Sequence, residues 1–147
     1  MRLEPMRVDD VGFVYECLAE LRGAAQYTEA SFRRYVEEAR LLEHPDFRVL
    51  IGIEEGARVG MLTSNRFAMP RYLGYGYELE EVVIHPRHQG RGLAAKLVSA
   101  FMESVAQQPE VRKVIVKTDD EGRAARVYER LFGRVAAKVY ARSVNRL

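Results

Sequence analysis

VVIHPRHQGRGLAAKLVSAF, residues 82–101, decides how the chain is read. A short apolar run ends at Ile84. Polar and turn-forming residues follow, then Gly90 and Gly92 one residue apart, then an amphipathic pattern. Leu93, Leu97, Phe101 and Val105 recur every four residues, and Ala94 and Val98 widen that face, so the spacing predicts a helix over 90–107. The stretch therefore reads as strand, glycine loop, helix. The first turn of a helix presents amide N–H groups without internal partners and the positive end of the dipole, which together bind anions. Glycine lets the backbone close on such an anion because no Cβ intervenes. With Arg87, Arg91 and Lys96 adding positive charge, the loop suits a pyrophosphate. The plainer reading is a tight turn on a solvated basic face, and a bare G-x-G does not decide between them.

Working outward, residues 2–8 read as a short strand and 10–22 as a helix, with Asp9 or Asp10 at its start and Val11, Val14, Leu18 and Leu21 on one face. A second helix is expected over 28–43, capped by Thr28, with Phe32, Tyr35, Val36 and Ala39 on one side. From Val49 the period becomes two, EEGAR makes a turn, and a strand resumes over Val59–Thr63, which predicts a hairpin. A further strand is expected over 77–85. KVIVKT is a short buried strand, 121–132 a helix carrying Ala124, Tyr128, Leu131 and Phe132, and RVAAKVYARSV a last strand. The order β-α-α-β-β-β-α-β-α-β predicts a mixed α/β arrangement around one sheet.

Composition narrows the function classes. The chain has 147 residues, 48% apolar and 30% charged, which suits one globular domain over 1–147 and argues against disorder. A formal net charge of +2 is too small to imply a nucleic-acid or membrane surface by itself. No apolar run approaches the ~18 residues of a membrane span, and MRLEPMRVDD lacks a signal-peptide core, so a cytoplasmic protein is expected. Cys17 is the single cysteine, so no intramolecular disulfide or cysteine metal cluster is expected; it reads as a small buried hydrophobe. No His/Asp/Glu spacing suggests a metal.

Three phosphate loops compete for Gly90 and Gly92. A P-loop needs Lys after its second glycine, where this chain has Leu93. The dinucleotide pattern G-x-G-x-x-G/A is formally met by Gly90, Gly92 and Ala95, but HPRHQ separates strand from loop and only residues 93–147 follow. Gln89-Gly90-Arg91-Gly92-Leu93-Ala94 fits better. It resembles the Q/R-x-x-G-x-G/A motif of the GNAT (Gcn5-related N-acetyltransferase) superfamily, and GRAARVYERLFGRV resembles that superfamily's tyrosine-bearing helix. The resemblance covers most of the chain in element order and is most specific over 78–133. Glu121 departs from it, standing where Asn is frequent, and Phe132-Gly133 replaces the usual Gly-Phe.

The resemblance implies the GNAT fold, a single mixed, largely antiparallel, splayed sheet with flanking helices, and acetyl transfer from acetyl-CoA to an amine. It places the pyrophosphate on the amides of Gln89, Gly90, Arg91, Gly92, Leu93, Ala94 and Ala95, and the pantetheine arm along Val82, Val83 and Ile84. It makes Tyr128 the acid that protonates the departing thiolate, against a plain core tyrosine. An amine of pKa about 10.4 must lose a proton to attack, a deficit of roughly 4 kcal/mol at neutral pH, so a general base is useful. YELEEVV offers Glu78, Glu80 and Glu81. Strand alternation puts Glu78 and Glu80 on one face and Glu81 on the other. Glu80 acting through water is favoured, with Glu81 shaping the acceptor site; the alternative is three solubilising charges. His85 reads as turn-stabilising rather than as a proton relay. Tyr72, Tyr75 or Tyr77 could face a cationic amine. Small amines, polyamines, aminoglycosides and protein amines stay open as acceptors. A non-catalytic acyl-CoA-binding regulatory domain is the alternative function. No nucleic-acid or membrane partner is expected, and a homodimer is compatible with the resemblance.

Overall fold

A computed structural model gives the fold and describes residues 1–21, 27–117 and 123–132. Its elements follow the expected order: β1 (Arg2–Pro5), α1 (Val11–Leu21), α2 (Glu29–Glu38), β2 (Phe47–Glu54), β3 (Ala57–Met69), β4 (Gly74–Ile84), α3 (Leu93–Ala106), β5 (Val111–Val116) and α4 (Arg123–Leu131). The expected last strand, over 134–144, and Glu121 lie outside the described residues. The sheet runs β1-β2-β3-β4-β5, antiparallel throughout except for the parallel pair β4–β5.

Each face of this open α/β sheet buries its own core. On one side Val11, Val14 and Cys17 of α1 and Phe32 and Val36 of α2 pack on Val49, Ile51, Met61 and Val83. On the other, Leu97, Val98, Phe101 and Val105 of α3 pack on Leu62, Tyr77 and Leu79, with Tyr128, Leu131 and Phe132 at the margin. The four-residue stripe read in α3 is thus its buried face. Cys17 is fully buried, and burial, helped by Glu16 and Glu20, pushes its thiol up to about 12, so it behaves as a hydrophobe.

Local chemistry sets the ends that periodicity misses. Thr28 caps α2 as expected, its hydroxyl accepting from the Ser31 N–H at 3.1 Å. The helix stops at Glu38, not residue 43, because Arg40 is left-handed at φ 51 and the Leu41 N–H reaches back to the Val36 carbonyl at 2.9 Å. α3 begins at Leu93, not residue 90, because Gly92 has φ 70. β3 runs on to Met69, past the expected Thr63. Pairing with β4 carries it, and the Arg66 N–H is held by the Asp46 carbonyl at 2.7 Å.

Candidate active site

β3 and β4 pair from Met69↔Gly74 through Asn65↔Glu78 to Ser64↔Leu79, then resume at Leu62↔Val82. Thr63 alone therefore faces both Glu80 and Glu81, and β4 carries a β-bulge there. This corrects the alternation expected for the three glutamates. Tyr77 and Leu79 point into the α3-side core, whereas Val83 points into the α1/α2-side core. The extra residue changes the parity, so Glu78, Glu80 and Glu81 all stand on the α1/α2 face.

These carboxylates are not equivalent. Lys117, just past β5, forms an ion pair with Glu78. The Thr63 hydroxyl donates to the Glu81 carboxylate and accepts from the Glu81 N–H at 3.0 Å. Glu80, among the described residues, has no such partner. Glu80 is exposed, yet partial desolvation raises its carboxyl above the ordinary range, the charges of Glu78 and Glu81 raise it further, and Lys117 partly offsets them. An uncommitted carboxylate with raised proton affinity is what a general base needs. Thr63 and Lys117 escape a sequence reading because only the bulge register and the parallel β4–β5 pair bring them to the glutamates.

β5 pairs with β4 only from Tyr75 to Leu79, so the edge of β4 opens beyond that point. The His85 N–H donates to the Val59 carbonyl at 3.0 Å, and the Glu81 N–H also turns to β3. Antiparallel alternation then directs the backbone of Val83 to β3 and that of Val82 and Ile84 to the opened edge. An extended polar chain could pair there as an added strand. The Gln89 side-chain amide donates to the Ile84 carbonyl at 3.1 Å, which ties the loop to the strand end.

His85 anchors the same exit. Its Nδ1 accepts from the Arg87 N–H at 3.4 Å, so its proton sits on Nε2, facing a Glu16 carboxylate oxygen at 3.0 Å. Phe13 stacks on the ring with centroids 5.3 Å apart. This is the turn-stabilising role. Gly90 and Gly92 follow at φ 78 and 70; a Cβ on either would meet nothing within 4 Å, so backbone conformation rather than crowding asks for glycine. The first turn of α3, at Leu93, Ala94 and Ala95, has neither a side-chain cap nor an acidic residue. Bare first-turn amides of this kind can hold an anion. Arg87 and Arg91 are exposed beside it. Lys96 is not aimed there. It pairs with Glu54, which also meets the N-terminal amine at 3.2 Å.

Tyr128 is half-buried on α4, its ring 6.2 Å from that of Phe132. Burial raises its pKa, so the phenol keeps its proton across neutral pH and can donate. The other tyrosines meet the protein's own groups. Tyr77 is buried against Phe101, with its hydroxyl 3.2 Å from Gln108; Arg66 covers Tyr75 and Arg71 covers Tyr72. Tyr77 lies on the face opposite Glu78, Glu80 and Glu81.

A family model described as "Acetyltransferase (GNAT) family" matches residues 14–133. No curated protein matches the chain in sequence. Among solved structures, a ribosomal-protein-alanine N-acetyltransferase from Brucella melitensis biovar Abortus 2308 is similar with a TM-score of 0.77 and 17% identity, over 98% of this chain and 99% of that one. Glucosamine-6-phosphate N-acetyltransferase from Arabidopsis thaliana gives 0.73 and 22%, over 98% of both chains. An aminoglycoside acetyltransferase from an uncultured soil metagenomic sample gives 0.71 and 20%, again over 98% of both. At these identities the likeness is one of fold.

Proposed function

This chain belongs to the GNAT acetyltransferase family, an enzyme class of acyltransferases, and on that premise we propose that it moves an acetyl group from acetyl-CoA to a primary amine by direct attack. Acetyl-CoA supplies the activated thioester. The observation that carries the reading is the run of one strand through three features: the bulge with its uncommitted Glu80, the opened edge at Val82 and Ile84, and the bare first turn after Gly92.

Each part has a role. The amides of Gly92 through Ala95, with Arg87 and Arg91, hold the pyrophosphate, and Gln89 and His85 position the loop. The edge groups of Val82 and Ile84 hold the pantetheine arm and offer an N–H to the thioester carbonyl as negative charge develops there. Glu80 takes the amine proton, directly or through water, and Glu81, fixed by Thr63, shapes the acceptor site. Tyr128 gives its proton to the leaving sulfur. The three solved proteins named above are acetyltransferases of a ribosomal-protein alanine, of glucosamine 6-phosphate and of an aminoglycoside, which supports an amine acceptor.

Calorimetric titration with acetyl-CoA, with NAD and ATP as controls, is the first test. One-site binding of acetyl-CoA alone is expected; no binding would remove the donor assignment. Tyr128→Phe then separates an enzyme from a binding module. It should cut kcat by roughly 100-fold or more and leave acetyl-CoA affinity unchanged. Equal losses in both would remove the acid role.

A further inference from the structure

The row of carboxylates ends at Glu78, and Glu78 pairs across β3 with Asn65, which pairs in turn with Phe47 of β2. Asn65 and Phe47 line an open cavity of about 420 Å³. Tyr35 of α2 and Ala39, which caps the C-terminal end of that helix, line it too, with Leu41 and His44 from the connection to β2. Val49, next but one to Phe47, and Met61, Thr63 and Asn65 in β3 alternate onto the α1/α2 face, so the cavity and the three glutamates share that face. None of the lining side chains is a carboxylate.

The wall is held in place. The His44 Nδ1 accepts from the N–H groups of Asp46 and Phe47 at 3.2 and 2.8 Å, and its ring meets Phe47 edge-on at 6.3 Å. Asp46 is clamped by the Arg66 guanidinium at 2.8–2.9 Å. The left-handed turn at Arg40 sends Leu41 back toward the core. A preorganised wall in which Tyr35, Phe47 and Leu41 stand beside the polar His44 and Asn65 fits a flat, largely apolar group with room for a polar edge. Along β4 the step from the Glu78 row to Glu80 is about 7 Å at the usual rise of a strand.

The geometry points to an acceptor that is a primary amine bearing an aromatic or bulky apolar arm on a short spacer. Its nitrogen sits at Glu80 and its arm in the Tyr35–Phe47 cavity. The inference rests on the transferase reading above and sharpens it. A polyamine or aminoglycoside would bring a second ammonium beside a lining without a carboxylate, where Glu78, opposite Asn65, is already paired with Lys117. The same chemistry is presented by a free arylalkylamine and by the α-amine of a peptide that begins with a large apolar residue.

Thiol release from acetyl-CoA, followed with ethylamine, 2-phenylethylamine, spermidine, kanamycin and a tripeptide beginning with phenylalanine, tests it. Either aromatic acceptor is expected to exceed ethylamine by roughly 10- to 100-fold in kcat/KM. Whichever of the two is better identifies the source of the amine. Ala39→Phe, which places a ring at the cavity wall, should raise KM for the aromatic acceptor relative to KM for ethylamine and so remove that advantage. Tyr35→Ala, at an exposed position that tolerates change, should lower it without loss of fold. Preference for spermidine or kanamycin, or an aromatic advantage that survives Ala39→Phe, would overturn the inference and leave the transferase intact. Absence of transfer to every amine would instead strike the transferase reading beneath it.

Discussion

Glu80 shows how one side chain can be costly to the fold and useful to the chemistry. Its carboxyl has a raised pKa, so the folded chain holds that proton more tightly than the unfolded chain does. The stabilisation is fully present below the ordinary carboxylate pKa and is lost as pH rises through the raised value. At neutral pH the ionised group, crowded by Glu78 and Glu81, is a net cost. Glu80→Gln should therefore raise Tm at about pH 7–8, with the gain vanishing below about pH 4. The same change should cut kcat by roughly 100-fold or more at neutral pH and leave KM for acetyl-CoA unchanged. A loss of both stability and turnover would mean that Glu80 holds the bulge instead of acting as base. Thermal melts across pH and steady-state kinetics on the same variant decide this.

At the scale of elements, the bulge and the loop each depend on one residue. Thr63 is buried and its hydroxyl satisfies both the N–H and the carboxylate of Glu81. Thr63→Val keeps the shape but leaves these groups unpaired, at a cost of about 1–3 kcal/mol in unfolding free energy. It should also lower kcat, because a bulge free to slip would return Glu81 to the other face. Denaturant unfolding reads the first effect and kinetics the second. At the loop, alanine at Gly92 has room for its Cβ but not the preferred backbone, since φ is 70. Gly92→Ala should cost roughly 1–2 kcal/mol of stability. KM for acetyl-CoA should rise more than kcat falls. An unchanged KM would mean that the first turn of α3 does not hold the pyrophosphate.

At the scale of the whole molecule, the sheet separates two tasks. In the proposed function its splayed edge serves the donor, while its α1/α2 face carries the carboxylates and the cavity. Among the described residues no helix is long and apolar enough to cross a membrane. A donor bound across β4 and α3 would bridge the strand and the helix that follows it. Acetyl-CoA at about 100 times its Kd should add about 2.7 kcal/mol of stability. For a chain of this size that is a Tm rise of roughly 5–10 °C. Added salt should reduce the rise by screening Arg87 and Arg91. NAD should give none. Differential scanning with both ligands at two salt concentrations checks this.

The order of the described elements, the glycine loop and the stripe of α3 were legible in the sequence because each rests on local chemistry: hydrophobic period, turn residues, and the need for glycine at positive φ. Thr28 was readable as a cap for the same reason, and Cys17 as a buried hydrophobe. What only the tertiary structure decided was register. Strand alternation alone splits Glu78 and Glu80 from Glu81. The pairing of β4 with β3 inserts a residue opposite Thr63 and gathers all three onto one face. The β4–β5 pair spends Lys117 on Glu78, and the packing of α3 on the sheet spends Lys96 on Glu54 and Tyr77 on Phe101, leaving Glu80 uncommitted among the described carboxylates of the strand. A sequence encodes which residues can take a proton; it is the distance between strands, set by long-range pairing, that determines which of them is left free to do so.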